Sequence, residues 1–185
     1  DELKEVEERI ERLIRESKRV NEEVKETNRR LVRESKEINK RVHDTVRRLV
    51  EEVRRIIDER GGETEDVKRV VEEVVRRARE LSRRSDEVTK DIARKMRDTD
   101  RESEEITRRV VEELRRLVEE IRKRVDEKEV RRLREEVEKL AKELKRSNDE
   151  SNKESERLVE DLKRSNTENS KAVEDLAREL KERLK

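Results

Sequence analysis

The sequence predicts an all-α fold: a long antiparallel up-down-up three-helix bundle with coiled-coil packing. Three observations carry that expectation. No proline occurs in 185 residues, so nothing breaks a helix interior. Apolar residues recur in steps of three and four along nearly the whole chain. The only two glycines stand together at Gly61-Gly62, where they mark a turn. Charged residues make up 58% of the chain and apolar residues 28%, a balance that reads as disorder when net charge is large or periodicity is lost. Here the net charge is +1 and the periodicity persists, as in long helices and coiled coils.

The first helix is expected over residues 1–60. Its seam runs Leu3, Val6, Ile10, Leu13, Ser17, Val20, Val24, Asn28, Leu31, Ser35, Ile38, Val42, Val46, Leu49, Val53 and Ile56, with an average step of about 3.5 residues. Doubled positions such as Leu13-Ile14, Leu31-Val32 and Leu49-Val50 widen this stripe enough to face two neighbours. A turn over 61–63 follows. The second helix, residues 64–124, opens with Thr64 as an N-cap and with Glu65 and Asp66 in the first turn, where negative charge suits the unpaired N–H groups.

The next turn carries no glycine. It is expected near Val125-Asp126, where Arg122, Lys123 and Arg124 run into Asp126, Glu127 and Glu129, a cationic helix end meeting an anionic helix start. In one continuous helix Ile121 and Val130 would point to roughly opposite faces at about 100° per residue. A turn repairs that mismatch, and the alternative is one uninterrupted helix of over a hundred residues. The third helix then covers 127–185. The three helices, about 57 to 60 residues each, make a single helical-bundle domain over residues 1–185.

In the middle of every helix the seam becomes polar, through Ser, Thr, Asn and one His. Folding the chain back about both turns brings these positions into four layers. Ser17 and Asn21 fall near Ser103 and Thr107, and those near Ser147 and Asn148. Asn28 falls near Thr99, with Ser151, Asn152 and Ser155 opposite. Ser35 and Asn39 meet Thr89, Ser165 and Asn166, while His43 meets Ser82 and Ser85, with Asn169 and Ser170 opposite. Buried hydroxyls and amides cost about 1–3 kcal/mol each when unpaired, so such layers penalise slipped registers.

These features resemble computationally designed helical bundles with buried hydrogen-bond networks. The idealised helices, the absence of aromatic residues and proline, the two-glycine loop, the Glu/Arg/Lys surface and the polar core layers carry the resemblance over the whole chain. It implies no natural biochemical activity. It implies instead a structural or interaction module whose polar layers specify helix pairing. Some members of that group split a four-helix bundle between two chains, so a three-helix chain is expected to take a designed single helix, a fourth member, in the groove between its first and third helices. A monomeric scaffold and a self-associating homo-oligomer are the alternatives.

Other functions find little footing. There is no Cys and only one His, which leaves no thiol chemistry, disulfide framework or zinc site, and no cofactor is expected. His43 beside Asp44, with Ser85 near by, lacks the pocket and oxyanion hole of a nucleophile–base pair, so no enzyme is expected. Asp98 and Asp100 stand between Arg97 and Arg101 and read as a solvated face. Basic pairs such as Arg47-Arg48 and Arg108-Arg109 are balanced by acidic neighbours and lack aromatic platforms, so no nucleic-acid partner is expected. No apolar run approaches the roughly 20 residues of a membrane span, and the acidic start Asp1-Glu2 contradicts a signal peptide. The chain is expected to be soluble and synthetic, produced in the cytoplasm of an expression host, with no membrane or small-molecule partner.

Overall fold

A computed structural model describes residues 2–184. Three α-helices follow one another: α1 (Glu2–Arg60), α2 (Glu65–Ile121) and α3 (Glu127–Arg183). Asp1 and Lys185, the first and last residues of the expected helices, lie outside the described residues.

Each connection follows from local chemistry. The Gly61 N–H donates to the Ile57 carbonyl at 2.8 Å, and Gly61 has φ of +79°, the left-handed conformation that ends a helix cheaply only at glycine. Gly62 is small for a different reason: a Cβ there would lie 2.9 Å from the Arg183 carbonyl oxygen. Thr64 caps α2, its hydroxyl accepting from the Val67 N–H at 3.4 Å and its carbonyl from the Lys68 N–H at 3.2 Å. At the other end α2 stops at Ile121, earlier than the expected 124. Arg122 and Arg124 donate their N–H groups to Glu119 and Ile121 in tightened turns, and the Asp126 carbonyl takes the Glu129 and Val130 N–H groups at 3.0 and 3.1 Å to open α3. Leaving the helix at Ile121 lets both Ile121 and Val130 enter the same apolar cluster.

The chain divides into two compact units, and all three helices contribute to each. The first comprises Asp1–Arg29 and Lys95–Arg157, and its apolar core gathers Ile10 and Ile14 of α1, Leu114, Leu117, Val118 and Ile121 of α2, and Val130, Leu133 and Val137 of α3. Within it α1 and α3 run the same way, because Glu7–Arg132 and Arg29–Glu154 are both separated by 125 residues. α2 runs against them, since the separation falls from 82 residues at Asn21–Ser103 to 72 at Asn28–Asp100.

The second unit comprises Arg30–Arg94 and Leu158–Lys185. Val46, Val50, Val53 and Ile57 of α1 pack there with Val67, Val71, Val75 and Ala78 of α2 and Val173, Ala177 and Leu180 of α3. Within this unit α1 and α3 run the same way and α2 runs against them. Arg54–Glu179 and Asp58–Arg183 are each 125 residues apart, and the α1–α2 separation shrinks from 54 at Ser35–Thr89 to 46 between Asn39 and Ser85 if one follows α1 forward.

The buried positions depart from a heptad. On α1 they form four columns, Ile10–Asn28–Val46, Ile14–Val32–Val50, Ser17–Ser35–Val53 and Asn21–Asn39–Ile57, each stepping by 18 residues. α3 repeats this in Leu144–Leu162–Leu180 and Val137–Ser155–Val173. A step of 18 residues is five turns at about 3.6 residues each, so each column stays in line along an ordinary α-helix, whereas a step near 3.5 needs a left-handed supercoil.

Two tests follow from these positions. Gly61→Ala should cost about 1 kcal/mol through its backbone conformation alone, because nothing crowds a Cβ there. Leu133→Ala, in the first unit's core, should cost about 2–5 kcal/mol. Urea unfolding followed by circular dichroism measures both, and equal costs would contradict the assignment of one to strain and the other to packing.

Candidate functional site: the buried polar layers

A polar side chain is tolerated in a helix seam when its neighbours on the facing helices complete its hydrogen bonds. The first unit holds two such layers. In one, Asn21 donates from Nδ2 to Ser147 Oγ, and the Ser103 hydroxyl donates to Asn21 Oδ1 at 3.2 Å and lies 3.5 Å from Asn148 Oδ1. Ser17 and Thr107 are buried on the same faces of α1 and α2. In the other layer Asn28 uses both amide hydrogens, one to Asp100 Oδ1 at 3.2 Å and one to Ser155 Oγ at 3.1 Å. The Asn28 Oδ1 and the Ser151 hydroxyl are buried and find no partner.

The second unit carries a more connected arrangement. Asn39 donates to Ser165 Oγ at 2.6 Å, and its Oδ1 accepts from the Ser85 hydroxyl at 3.2 Å and from Asn169 Nδ2 at 2.9 Å. Asn166 donates to Thr89 Oγ1 and to the Ser85 carbonyl, and Thr89 is 3.4 Å from Ser35 Oγ. His43 Nδ1 lies 2.9 Å from Asn169 Oδ1. An amide oxygen only accepts, so the ring proton sits on Nδ1. Ser82 and Ser170 pair at 2.9 Å. The third and fourth expected layers are therefore joined, because Ser85 and Asn169 turn toward Asn39; Ser82 and Ser85 bond to other partners, not to His43.

Two expected members lie elsewhere. Thr99 is half-exposed and its hydroxyl donates to the Lys95 carbonyl of its own helix at 2.8 Å. The partner of Asn28 is instead its neighbour Asp100, which is only 9% exposed, so the reading of Asp100 as a solvated face is corrected too. One residue along a helix is a rotation of about 100°, enough to exchange the two. The signal was present in the column Ser82–Asp100–Val118, whose outer members are core residues. Asn152 points outward and donates to Glu104.

Asp100 is also the electrostatic exception. Burial pushes its carboxyl above the ordinary aspartate value, opposed by hydrogen bonds from Ser155 and Asn28 and reinforced by the negative charges of Glu104 and Glu156. Outside the layers, the edges are crossed by ion pairs. Between α1 and α3 these are Glu7–Arg132 and Arg29–Glu154 in the first unit, and Arg54–Glu179 and Asp58–Arg183 in the second. The Arg29 guanidinium, bonded at 2.8 Å, holds the Glu154 carboxyl below its usual range. An open groove of about 260 Å³ beside His43 is lined by Lys36, Asn39, Lys40, Ser165, Glu168 and Asn169.

Among the described residues no group of three or more His, Cys, Asp or Glu side chains is placed to hold a metal, and no helix is long and apolar enough to cross a membrane. No family model and no curated protein matches the chain. Among solved structures, it is similar to a computationally designed three helix bundle, with a TM-score of 0.79 and 20% identity over 99% of this chain and 90% of that one. At that identity the likeness establishes the fold. The chain is an all-helical three-helix bundle with buried hydrogen-bonded layers.

Asn39→Ala should lower stability by about 1–3 kcal/mol, because it strands the Ser85, Ser165 and Asn169 groups that bond to it. Thr99→Val should change stability by less than about 0.5 kcal/mol, since its hydroxyl serves only its own helix. Paired urea titrations compare the two, and a Thr99 effect as large as that of Asn39 would return Thr99 to the layer.

Proposed function

We propose that the chain is a designed structural module without natural catalytic activity, whose buried polar layers dictate which helix faces pair and at what height. The observation that carries this reading is the Asn39 group, where one carboxamide on α1 is bonded to Ser85 on α2 and to Ser165 and Asn169 on α3. The resemblance to a designed three helix bundle supports it. Directional bonds of this kind add selectivity to apolar packing, which by itself is indifferent to small slips.

A second reading, binding of a separate helix, is supported by a specific feature. The large apolar side chains left most open are on α1 and α2: Ile38 (37% exposed) and Val70 (40%) in the second unit, and Ile106 (37%) in the first. The α1–α3 edge, first expected to take the partner, carries the four ion pairs described above together with the open groove beside His43, and Arg9–Glu113 crosses from α1 to α2.

The two readings separate experimentally. Replacing His43, Asn39, Asn166 and Asn169 by Leu, Thr89 by Val, and Ser35, Ser82, Ser85, Ser165 and Ser170 by Ala removes the second unit's polar centre together with every partner it would strand. Thermal stability should hold or rise, while light scattering coupled to size-exclusion chromatography should report mixed species. A variant that melts far lower yet stays monodisperse would make the layer a stability element and end the first reading. In the unaltered protein, the same chromatography with and without added amphipathic helices tests the second. A mass increase abolished by Ile38→Glu with Val70→Glu supports it, and an unchanged monomer mass with every helix tried removes it.

A further inference from the structure

The Asn28 layer is short of one donor. Asn28 spends both amide hydrogens on Asp100 Oδ1 and Ser155 Oγ, while its own Oδ1, fully buried, receives nothing. Asp100 presents a carboxyl to that same carboxamide at 3.2 Å. A carboxylate only accepts and cannot satisfy the Asn28 oxygen, but a neutral carboxylic acid has an O–H as well as a carbonyl. Side by side, an acid and a primary amide match: N–H to one carboxyl oxygen, O–H back to the amide oxygen.

Among the described residues no cation compensates the charge that Asp100 carries when ionised. From α2 it is acted on by Glu104 and from α3 by Glu156, both negative, and Ser155 contributes a neutral hydroxyl. On α1, Lys25 and Arg29 flank Asn28 in sequence, but Lys25 lies 3.6 Å from Glu22, and Arg29 is bonded to Glu154 at 2.8 Å. The neighbours Arg97 and Arg101 on its own helix are on exposed positions. A buried carboxylate without a counter-charge is the costly member of the layer.

We propose that the folded chain takes up a proton from water at Asp100, closing a two-bond ring between its carboxyl group and the Asn28 carboxamide, and that this layer is a proton-dependent latch that loosens as the acid ionises. The raised carboxyl value of Asp100 agrees with this arrangement. The sign follows from linkage: a group that holds its proton more tightly in the folded than in the unfolded chain contributes stability fully present at low pH. That contribution is lost as pH rises from the unfolded value through the higher folded one.

Asp100→Asn is the decisive variant, because a second carboxamide supplies the missing donor at every pH and carries no charge. Its urea midpoint, relative to that of the unaltered chain, should climb as pH rises from below the ordinary aspartate value to above it. Parallel pH profiles for the two proteins would overturn the proposal. The unaltered protein gives an independent readout by carbon-detected NMR of the aspartate carboxyls: Asp100 should titrate above the ordinary aspartate value, and the side-chain amide signals of Asn28 should shift with the same midpoint. An Asp100 midpoint at or below the ordinary value, or Asn28 signals that do not follow it, would overturn the ring.

Discussion

A carboxamide shut away from water has two hydrogens to give and one oxygen to fill, all in a fixed plane, and the bundle is organised around meeting that demand. Apolar contact between Val46, Val71 and Val173 is non-directional and would survive a modest shift of one helix past another. The bonds of Asn39 would not. Its nitrogen reaches α3 at Ser165, and its oxygen is shared between Ser85 on α2 and Asn169 on α3, so three backbones are pinned to one height by a single side chain. In the first unit Asn21 does the same between Ser103 and Ser147. The Val- and Leu-rich clusters supply most of the driving force for association, and the polar centre decides which association forms.

Much of this is legible in the sequence itself. Three helices follow from the absence of proline and the apolar steps of three and four, and the first turn from a glycine pair whose leading member needs positive φ. The second turn had no such marker, yet Ile121 and Val130 could not share a face without it. The places where reading failed are physically specific. Thr99 and Asp100 compete for one slot, and the usual rule that a charged residue faces water chose wrongly between them because it ignores what a buried amide can offer a carboxyl. The junction between the third and fourth layers was also hidden. Layers drawn from sequence are flat, whereas the side chains of Asn39 and Asn169 reach along the axis to join two levels.

The surface works in a weaker currency. Ion pairs such as Arg79–Glu174 and Arg115–Glu138 join α2 to α3, and a row of pairs at i, i+3 and i, i+4 decorates each helix, but exposed pairs of this kind contribute little apiece. Their greater effect is on arrangement. With oppositely charged groups meeting along the edges between α3 and both other helices, a helix inserted backwards or turned about its axis would set like charges face to face. Charge outside and amides inside thus select the same pairing by independent means.

The 18-residue columns make length a discrete variable. Any insertion into a helix turns everything beyond it by about 100° per added residue, so most insertions would swing Ile, Val and Asn out of the seam and bring Glu and Arg in, and those of seven or eleven residues still leave an offset of about 20°. Eighteen residues restore the original bearing after five whole turns and about 27 Å of added axis. A helix such as α1, in which Ile10, Asn28 and Val46 already occupy equivalent places, is in that sense three copies of one segment laid end to end. Growth of the architecture is therefore possible by adding one such segment to each helix, with the two turns left untouched, and the new segment could be apolar or polar without disturbing the direction in which its neighbours face.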